Sequence, residues 1–231
     1  MDPRVLTVYK SPFPKKRLGK DRDGGYVIVD IPDVNYFIFL SCGVGGDISF
    51  EEDFINNYPN AKSYLFDGTV DKLPTEKDNN FTFIKKNIDN FNDDNITNMH
   101  DIIDNNDDIF LKMDIEGAEI PWLKGLSHQQ MNKFKQIVME FHWPFSDKEI
   151  DAFNKINNSH YLVHFHGNNN CGVRYHNGVI IPDVFECTYL HKSYFNSNPE
   201  LNTEPIPTSF DMPNLTEARD IYIDYPPFVF K

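Results

Sequence analysis

Three carboxylates fall within six residues of the segment DIFLKMDIEGAEIPWLKGL, at Asp114, Glu116 and Glu119. Like charges this close repel, and a plain surface loop has no use for them. They suit a cation, a hydroxyl that must be oriented, or the ammonium of a bound amino acid. The apolar run IFLKM before them predicts a buried strand that delivers Asp114 to its carboxyl end. Glu116 and Gly117 then occupy a tight turn, and a helix begins at once, with Pro121 in its first turn. A plain acidic helix start is the alternative reading of Glu119.

A second group of residues lies in FIFLSCGVGGDISFEEDF, residues 37–54. Gly43, Gly45 and Gly46 follow an apolar run, where a bare backbone can approach a ligand closely. Asp67, in LFDGTV, follows the next apolar run and is placed to take both hydroxyls of a ribose. Its distance from Gly45 is close to the ~20 residues expected between a glycine turn and a ribose acid. A dinucleotide and S-adenosylmethionine both satisfy this much. The acids Asp47, Glu51 and Glu52 favour the second. They would repel a pyrophosphate at the helix start and tolerate a sulfonium and an ammonium.

Two more clusters sit at strand ends. Glu140 and His142 follow one apolar run; His164, His166, Asn168 and Asn169 follow another. In an open α/β sheet these would face the same crevice as Asp114. His142 and His166 could act as general bases toward a hydroxyl, or could equally be satisfied core histidines. Asp114, Glu140 and His142 could hold Mg²⁺ or Mn²⁺, which would acidify a substrate hydroxyl. Trp143, Phe145 and Tyr175 could stack on a sugar ring or simply pack.

These residues need a sheet to bring them together. Six apolar runs, at residues 36–40, 63–66, 81–84, 109–113, 136–141 and 161–166, read as strands, and several are continuous enough to be buried on both faces. Helices are expected at 50–57, 97–103, 120–126 and 146–157. The first is capped by Asp47 or Ser49, and the last by a Ser146/Glu149 capping box. This alternation predicts a doubly wound, mostly parallel sheet with right-handed crossovers. Residues 179–190 have no helix before them and predict an antiparallel strand or hairpin that closes the sheet. Residues 21–30 place a Gly-Gly turn before a short alternating strand. Residues 196–211 read as a surface loop, and 220–230 as a segment that docks back on the body.

The chain has 231 residues and a formal net charge of -13, which argues against a nucleic-acid partner. The basic stretch Lys15–Arg17, with Lys20 and Arg22, reads as a solvated patch or as an anion contact at the mouth of a site. Three cysteines without a CxxC pair argue against a disulfide framework and fit a reducing, cytoplasmic setting. No apolar signal core or membrane-length run is present in the sequence, so no membrane partner is expected. One domain is expected over 1–231, with an N-terminal extension at 1–35, a core at 36–190 and a C-terminal segment at 191–231.

The string LKMDIEGAEIPWLKGL resembles the signature of FkbM-type methyltransferases, a branch of the class I S-adenosylmethionine-dependent enzymes. KDRDGGYVIVD, FLSCGVGGDISFEEDF, YLFDGTV, VMEFHWP, FHGNNN and IPDVFECTYL resemble other family segments in the same order, over roughly residues 20–190. The resemblance implies a Rossmann-like class I fold and S-adenosylmethionine as cofactor. It also implies transfer of a methyl group to a hydroxyl of a sugar, glycan or other small molecule. It implies that Gly43, Gly45 and Gly46 flank the methionine part and that Asp67 binds the ribose. Asn87, Ile88 or Asp89 would lie near the adenine, and Asp114 at the reaction centre. Ser41 stands where the usual loop carries an acid, so Glu116, Glu119 or a backbone amide is expected to take over that contact. The competing expectations are an NAD-dependent oxidoreductase and a non-catalytic binding module on a degenerate methyltransferase fold.

Overall fold

Glycines 24 and 25 turn the chain between β1 (Lys15–Leu18) and β2 (Tyr26–Val29), an antiparallel hairpin that lies on the main body. The computed structural model describes residues 2–75 and 81–231. All four residues of β2 are buried, so its expected alternation gives way to burial on both faces.

Strand and helix then alternate. The order is β3 (Ile38–Cys42), α1 (Ser49–Asn57), β4 (Lys62–Phe66), β5 (Phe81–Ile84), the short pair β6 (Asn87–Ile88) and β7 (Ile96–Thr97), and α2 (His100–Asp104). After these come β8 (Ile109–Met113), α3 (Glu119–Gly125), α4 (His128–Met131), β9 (Phe134–His142), α5 (Ile150–Ser159) and β10 (His160–Gly167). A hairpin of β11 (Val173–His176) and β12 (Val179–Pro182) precedes β13 (Val184–His191). The Ser146/Glu149 capping box forms, at a short 3-10 turn leading into α5. Helix α1 has no side-chain cap on its own N-cap residue, Ile48, although Asp47 accepts from the Ser49 amide at 3.2 Å.

The main sheet has seven strands in the order β10-β13-β9-β8-β3-β4-β5. Strands β9, β8, β3, β4 and β5 are parallel; β13 runs antiparallel to both β9 and β10. This is the Rossmann-like class I arrangement. The antiparallel strand was expected to close the sheet; instead β13 is inserted between β9 and β10. Seven of its eight residues are buried, and a strand so apolar needs a neighbour on each side.

Both faces of the sheet are covered. On one, Phe39, Phe50, Phe54 and Phe110 pack with Tyr26, Ile28 and Tyr36, so β2 and α1 share a core. The Phe39 and Phe54 rings stack at 4.0 Å between centroids. Truncating Phe54 to Ala should cost about 3–5 kcal/mol. On the other face, Trp122, Phe134, Phe141, Phe153 and Ile156 bring α3 and α5 onto the sheet. The stretch read as a surface loop is better anchored than expected. Asn202, Ile206 and Asp211 are buried, and Ile206 bridges to Ile223 in the C-terminal segment, which docks as anticipated. Among the described residues no helix is long and apolar enough to cross a membrane.

Candidate active site

Parallel pairing sets the geometry of the site. Cys42 on β3 lies beside Phe66 on β4 and Met113 on β8, so the three strands end level. The glycine bend, Asp67 and the acid turn therefore emerge side by side. They line one cavity of about 860 Å³, within the range of small-molecule sites. Gly43, Gly45, Gly46, Asp67, Asp89, Asp114 and Glu116 all line it, together with Asn87, Ile88 and Ile96 from β6 and β7.

The bend is built to fit. The Gly43 amide donates to the Phe66 carbonyl at 2.9 Å, and the Asp114 amide donates to the Cys42 carbonyl at 3.0 Å. A Cβ on Gly43, which has φ +76°, would stand 1.6 Å from the Asp114 carbonyl oxygen, so only glycine is admitted. At Gly45 and Gly46 a Cβ would meet nothing within 4 Å, so this stretch of backbone is open for close approach.

Asp67 accepts from the Gly45 amide at 2.8 Å, and from the Thr69 amide and hydroxyl at 2.7 and 2.6 Å. Burial alone would raise its carboxyl; these donors outweigh burial and hold it below the usual carboxylate range. It is thereby held in its charged form. Asp89 is half-buried at the cavity wall and accepts from the Asn90 amide.

At the acid turn Glu116 takes a left-handed conformation, φ +60°, a strain typical of functional turns. Glu119 does not reach the cavity. It is buried, and its Oε1 accepts from the Ile115 and Gly117 amides, both at 3.2 Å, and contacts His142 Nδ1 at 3.0 Å. Its expected cofactor contact is therefore replaced by a structural one: it holds the turn that presents Asp114 and Glu116. His142 Nε2 lies 3.3 Å from Glu116 and 3.8 Å from Asp114. Burial alone would lower the His142 pKa; the Glu119 bond and the Glu119, Glu140 and Asp114 charges outweigh it and push it up to about 9. The carboxylates around it favour the protonated imidazole, which weighs against the free-base role expected of it.

His166 does not face the crevice. Its side chain is fully buried, with Nε2 3.0 Å from Asp220 and Nδ1 3.5 Å from Glu186. It ties β10 to the C-terminal segment and cannot touch a substrate. His164 is likewise buried, against Asp211 at 2.7 Å. The cross-strand row explains the place of His166: it pairs with Glu186, and Glu186 with Glu140. Only the inner end of that row reaches Asp114.

Glu140 is buried beside Asp114 and Glu186. Burial and those two charges raise its carboxyl well above the usual range, although Asn168 donates to it at 2.8 Å. The Tyr26 hydroxyl lies 2.9 Å from Asp114 Oδ2 and 3.3 Å from Glu140 Oε2. Asp114, Glu140 and His142 each offer one ligand atom, all within 4.8 Å of one another.

Several cavity residues escaped the sequence reading. Tyr26 arrives through the β1–β2 hairpin and Asn214 from the C-terminal segment. Tyr26 lies in the quoted segment KDRDGGYVIVD, but nothing local there points it at the cavity, and no local pattern marks Asn214. Lys112 lies in a quoted motif, where a lone charge inside an apolar run was the available signal, whereas Glu51 was already read as an acid suited to a cationic ligand. Of the basic stretch, Lys20 and Arg22 line the cavity mouth. Lys16 and Arg17 serve the structure: Lys16 pairs with Asp30, and Arg17 donates to the Lys20 and Arg22 carbonyls.

A sheet in this order is that of a class I methyltransferase, and its glycine bend, Asp67 and acid turn share one cavity. The FkbM methyltransferase domain matches residues 11–175. The chain belongs to that family, and membership implies S-adenosylmethionine as methyl donor. No curated protein matches the chain. Among solved structures it is similar to precorrin-6y C5,15-methyltransferase from Geobacter metallireducens GS-15. Identity is 13%, coverage is 68% of this chain and 82% of that one, and the TM-score is 0.39.

Proposed function

We propose that the protein is an S-adenosylmethionine-dependent O-methyltransferase acting on a hydroxyl of a sugar, glycan or other small molecule. The observation that carries this reading is the convergence of Gly43–Gly46, Asp67 and Asp114 on one cavity. The buried carboxylate of Glu51, in the first turn of α1, weighs against an NAD-type pyrophosphate at that helix start. The sulfonium methyl is already activated. What the protein adds is alignment of acceptor oxygen, methyl and sulfur, and removal of a proton. Asp114, partly open to the cavity and oriented by Tyr26, is the group placed to take that proton.

Asp114, Glu140 and His142 also suit a divalent cation, Mg²⁺ or Mn²⁺. A buried carboxyl beside a half-buried one favours such an ion, and one imidazole with two carboxylates is a familiar hard-metal donor set. The ion would lower the pKa of an acceptor hydroxyl. Small-molecule or glycan acceptors fit the site better than nucleic acid, given the net charge of -13. Three free cysteines suit a reducing compartment such as the cytoplasm.

The test is incubation with methyl-labelled S-adenosylmethionine and a panel of glycans, glycosides, lipids, proteins and nucleic acids, with and without EDTA. Label on a glycan or small-molecule hydroxyl supports the reading. Label only on protein or nucleic acid overturns the acceptor class. Asp114→Asn should lower turnover by about 10²–10⁴-fold if it takes the proton.

A further inference from the structure

The family's usual acid before the glycine bend is missing here, and Ser41 occupies its place on β3. The structure supplies a carboxylate from another direction. Glu51, in the first turn of α1, is only 1% exposed, and the Ser41 hydroxyl donates to its Oε1. Ser41 pairs across the sheet with Lys112 on β8. Lys112 is also buried, with Nζ 2.8 Å from the Gly43 carbonyl and 5.3 Å from the centre of the Tyr26 ring. Glu51, Ser41 and Lys112 thus form a short row beneath the bend, and both charged ends line the cavity.

Two opposite buried charges normally neutralise each other. Among the described residues no direct ion pair joins these two, although the Lys112 charge is felt at Glu51; Glu51 accepts from the Ser41 hydroxyl and Lys112 donates to the Gly43 carbonyl. A buried carboxylate and a buried ammonium held apart beside a ligand cavity complement a zwitterion. The methionine end of the donor is one, with an α-ammonium and an α-carboxylate on a single carbon.

We propose that Glu51 and Lys112 form a two-ended clamp on that amino-acid end, Glu51 receiving the α-ammonium and Lys112 the α-carboxylate. The clamp rests on the donor reading above. It moves the acid of the methionine subsite from the end of β3 to the first turn of α1. It accounts for Glu51 being buried while Glu52, its neighbour, is not.

Calorimetry without any acceptor tests the clamp. S-adenosylhomocysteine has the amino-acid end, whereas 5′-methylthioadenosine keeps adenine, ribose and thioether but lacks it. Wild type should bind the first at least about a hundredfold more tightly, as two charge-assisted contacts require. Glu51→Gln, which keeps an acceptor for Ser41, should weaken S-adenosylhomocysteine about tenfold to a hundredfold and leave methylthioadenosine unchanged. Lys112→Met should do the same, with a thermal melt to confirm that it folds. Equal losses for both ligands, or no loss for S-adenosylhomocysteine, overturn the clamp while leaving the donor reading in place. Wild type binding neither ligand overturns the donor reading and the clamp with it.

Discussion

The Gly45 amide donates a 2.8 Å hydrogen bond to Asp67 Oδ2, joining the bend after β3 to the carboxylate after β4. The residues are 22 positions apart in sequence, yet they share one corner of the cavity. Asp67 therefore fixes the backbone of the bend, and on the proposed reading it also has lone pairs left for a ribose.

Asp67→Ala should expose both tasks at once. Three donors lose their acceptor, but the cavity admits water, so stability should fall by only about 1–2 kcal/mol. Affinity for S-adenosylhomocysteine should fall at least about tenfold, read by calorimetry. An affinity unchanged from wild type would remove Asp67 from the ligand site.

Gly43→Ala should be far more damaging than Gly45→Ala, although the two glycines are neighbours in the same bend. At Gly43 the new methyl would collide with the Asp114 carbonyl at 1.6 Å; at Gly45 it meets open space. Both residues have positive φ, so Gly45→Ala should cost about 1–2 kcal/mol from backbone strain alone. Gly43→Ala must also part β3 from β8, and should cost at least about 3 kcal/mol or yield insoluble chain. Chemical denaturation of the two variants side by side decides it. Equal costs would mean that the strand ends are not packed as closely as the contacts indicate.

Mn²⁺ should stabilise the protein through Asp114, Glu140 and His142. At a hundred times its Kd, the ion would add about 2.7 kcal/mol, or roughly 5–10 °C in Tm for a chain of this size. Glu140→Gln removes one carboxyl ligand from the set, and should abolish the response. A wild-type melting curve that Mn²⁺ and Mg²⁺ leave unmoved would exclude the cation site.

The strands were legible because β3, β8 and β10 are buried on both faces, so their sequences are nearly unbroken apolar runs. Position in the sheet was less so: nothing local tells β13 to enter between β9 and β10. The site was legible where backbone chemistry betrays it, at Gly43 and in the turn after Asp114. It failed where two side chains of one type have different surroundings. Glu116 and Glu119 look alike in sequence, but one lines the cavity and the other is consumed by turn amides. His142 and His166 look alike too, and are separated only by the insertion of β13 between their strands. Tyr26 and Asn214 come from outside the α/β core, and pairing across such distances leaves no periodic trace.

His160 offers a test of the fold that is independent of catalysis. It is fully buried at the start of β10, beside the Ser159 hydroxyl at 2.8 Å and the Phe134 carbonyl at 2.8 Å. The carbonyl can only accept, so Nε2 carries the proton and Nδ1 accepts from Ser159. Burial, with the nearby His191 adding to it, pushes its pKa down to about 3 from the ordinary 6.5. Between those two values the unfolded chain binds a proton that the folded chain refuses, so stability falls as pH falls. The loss should reach roughly 3–5 kcal/mol near pH 3. Buried carboxyls raised by their surroundings, such as Glu140, act in the opposite sense, so the useful quantity is a difference between variants. His160→Gln keeps a donor for Phe134 but does not titrate. Urea unfolding from pH 7.5 down to pH 4 should show a shallower loss of stability on acidification in His160→Gln than in wild type. Parallel pH dependences would mean that His160 is not held neutral in the folded protein, and that its contact with the Phe134 carbonyl is looser than described.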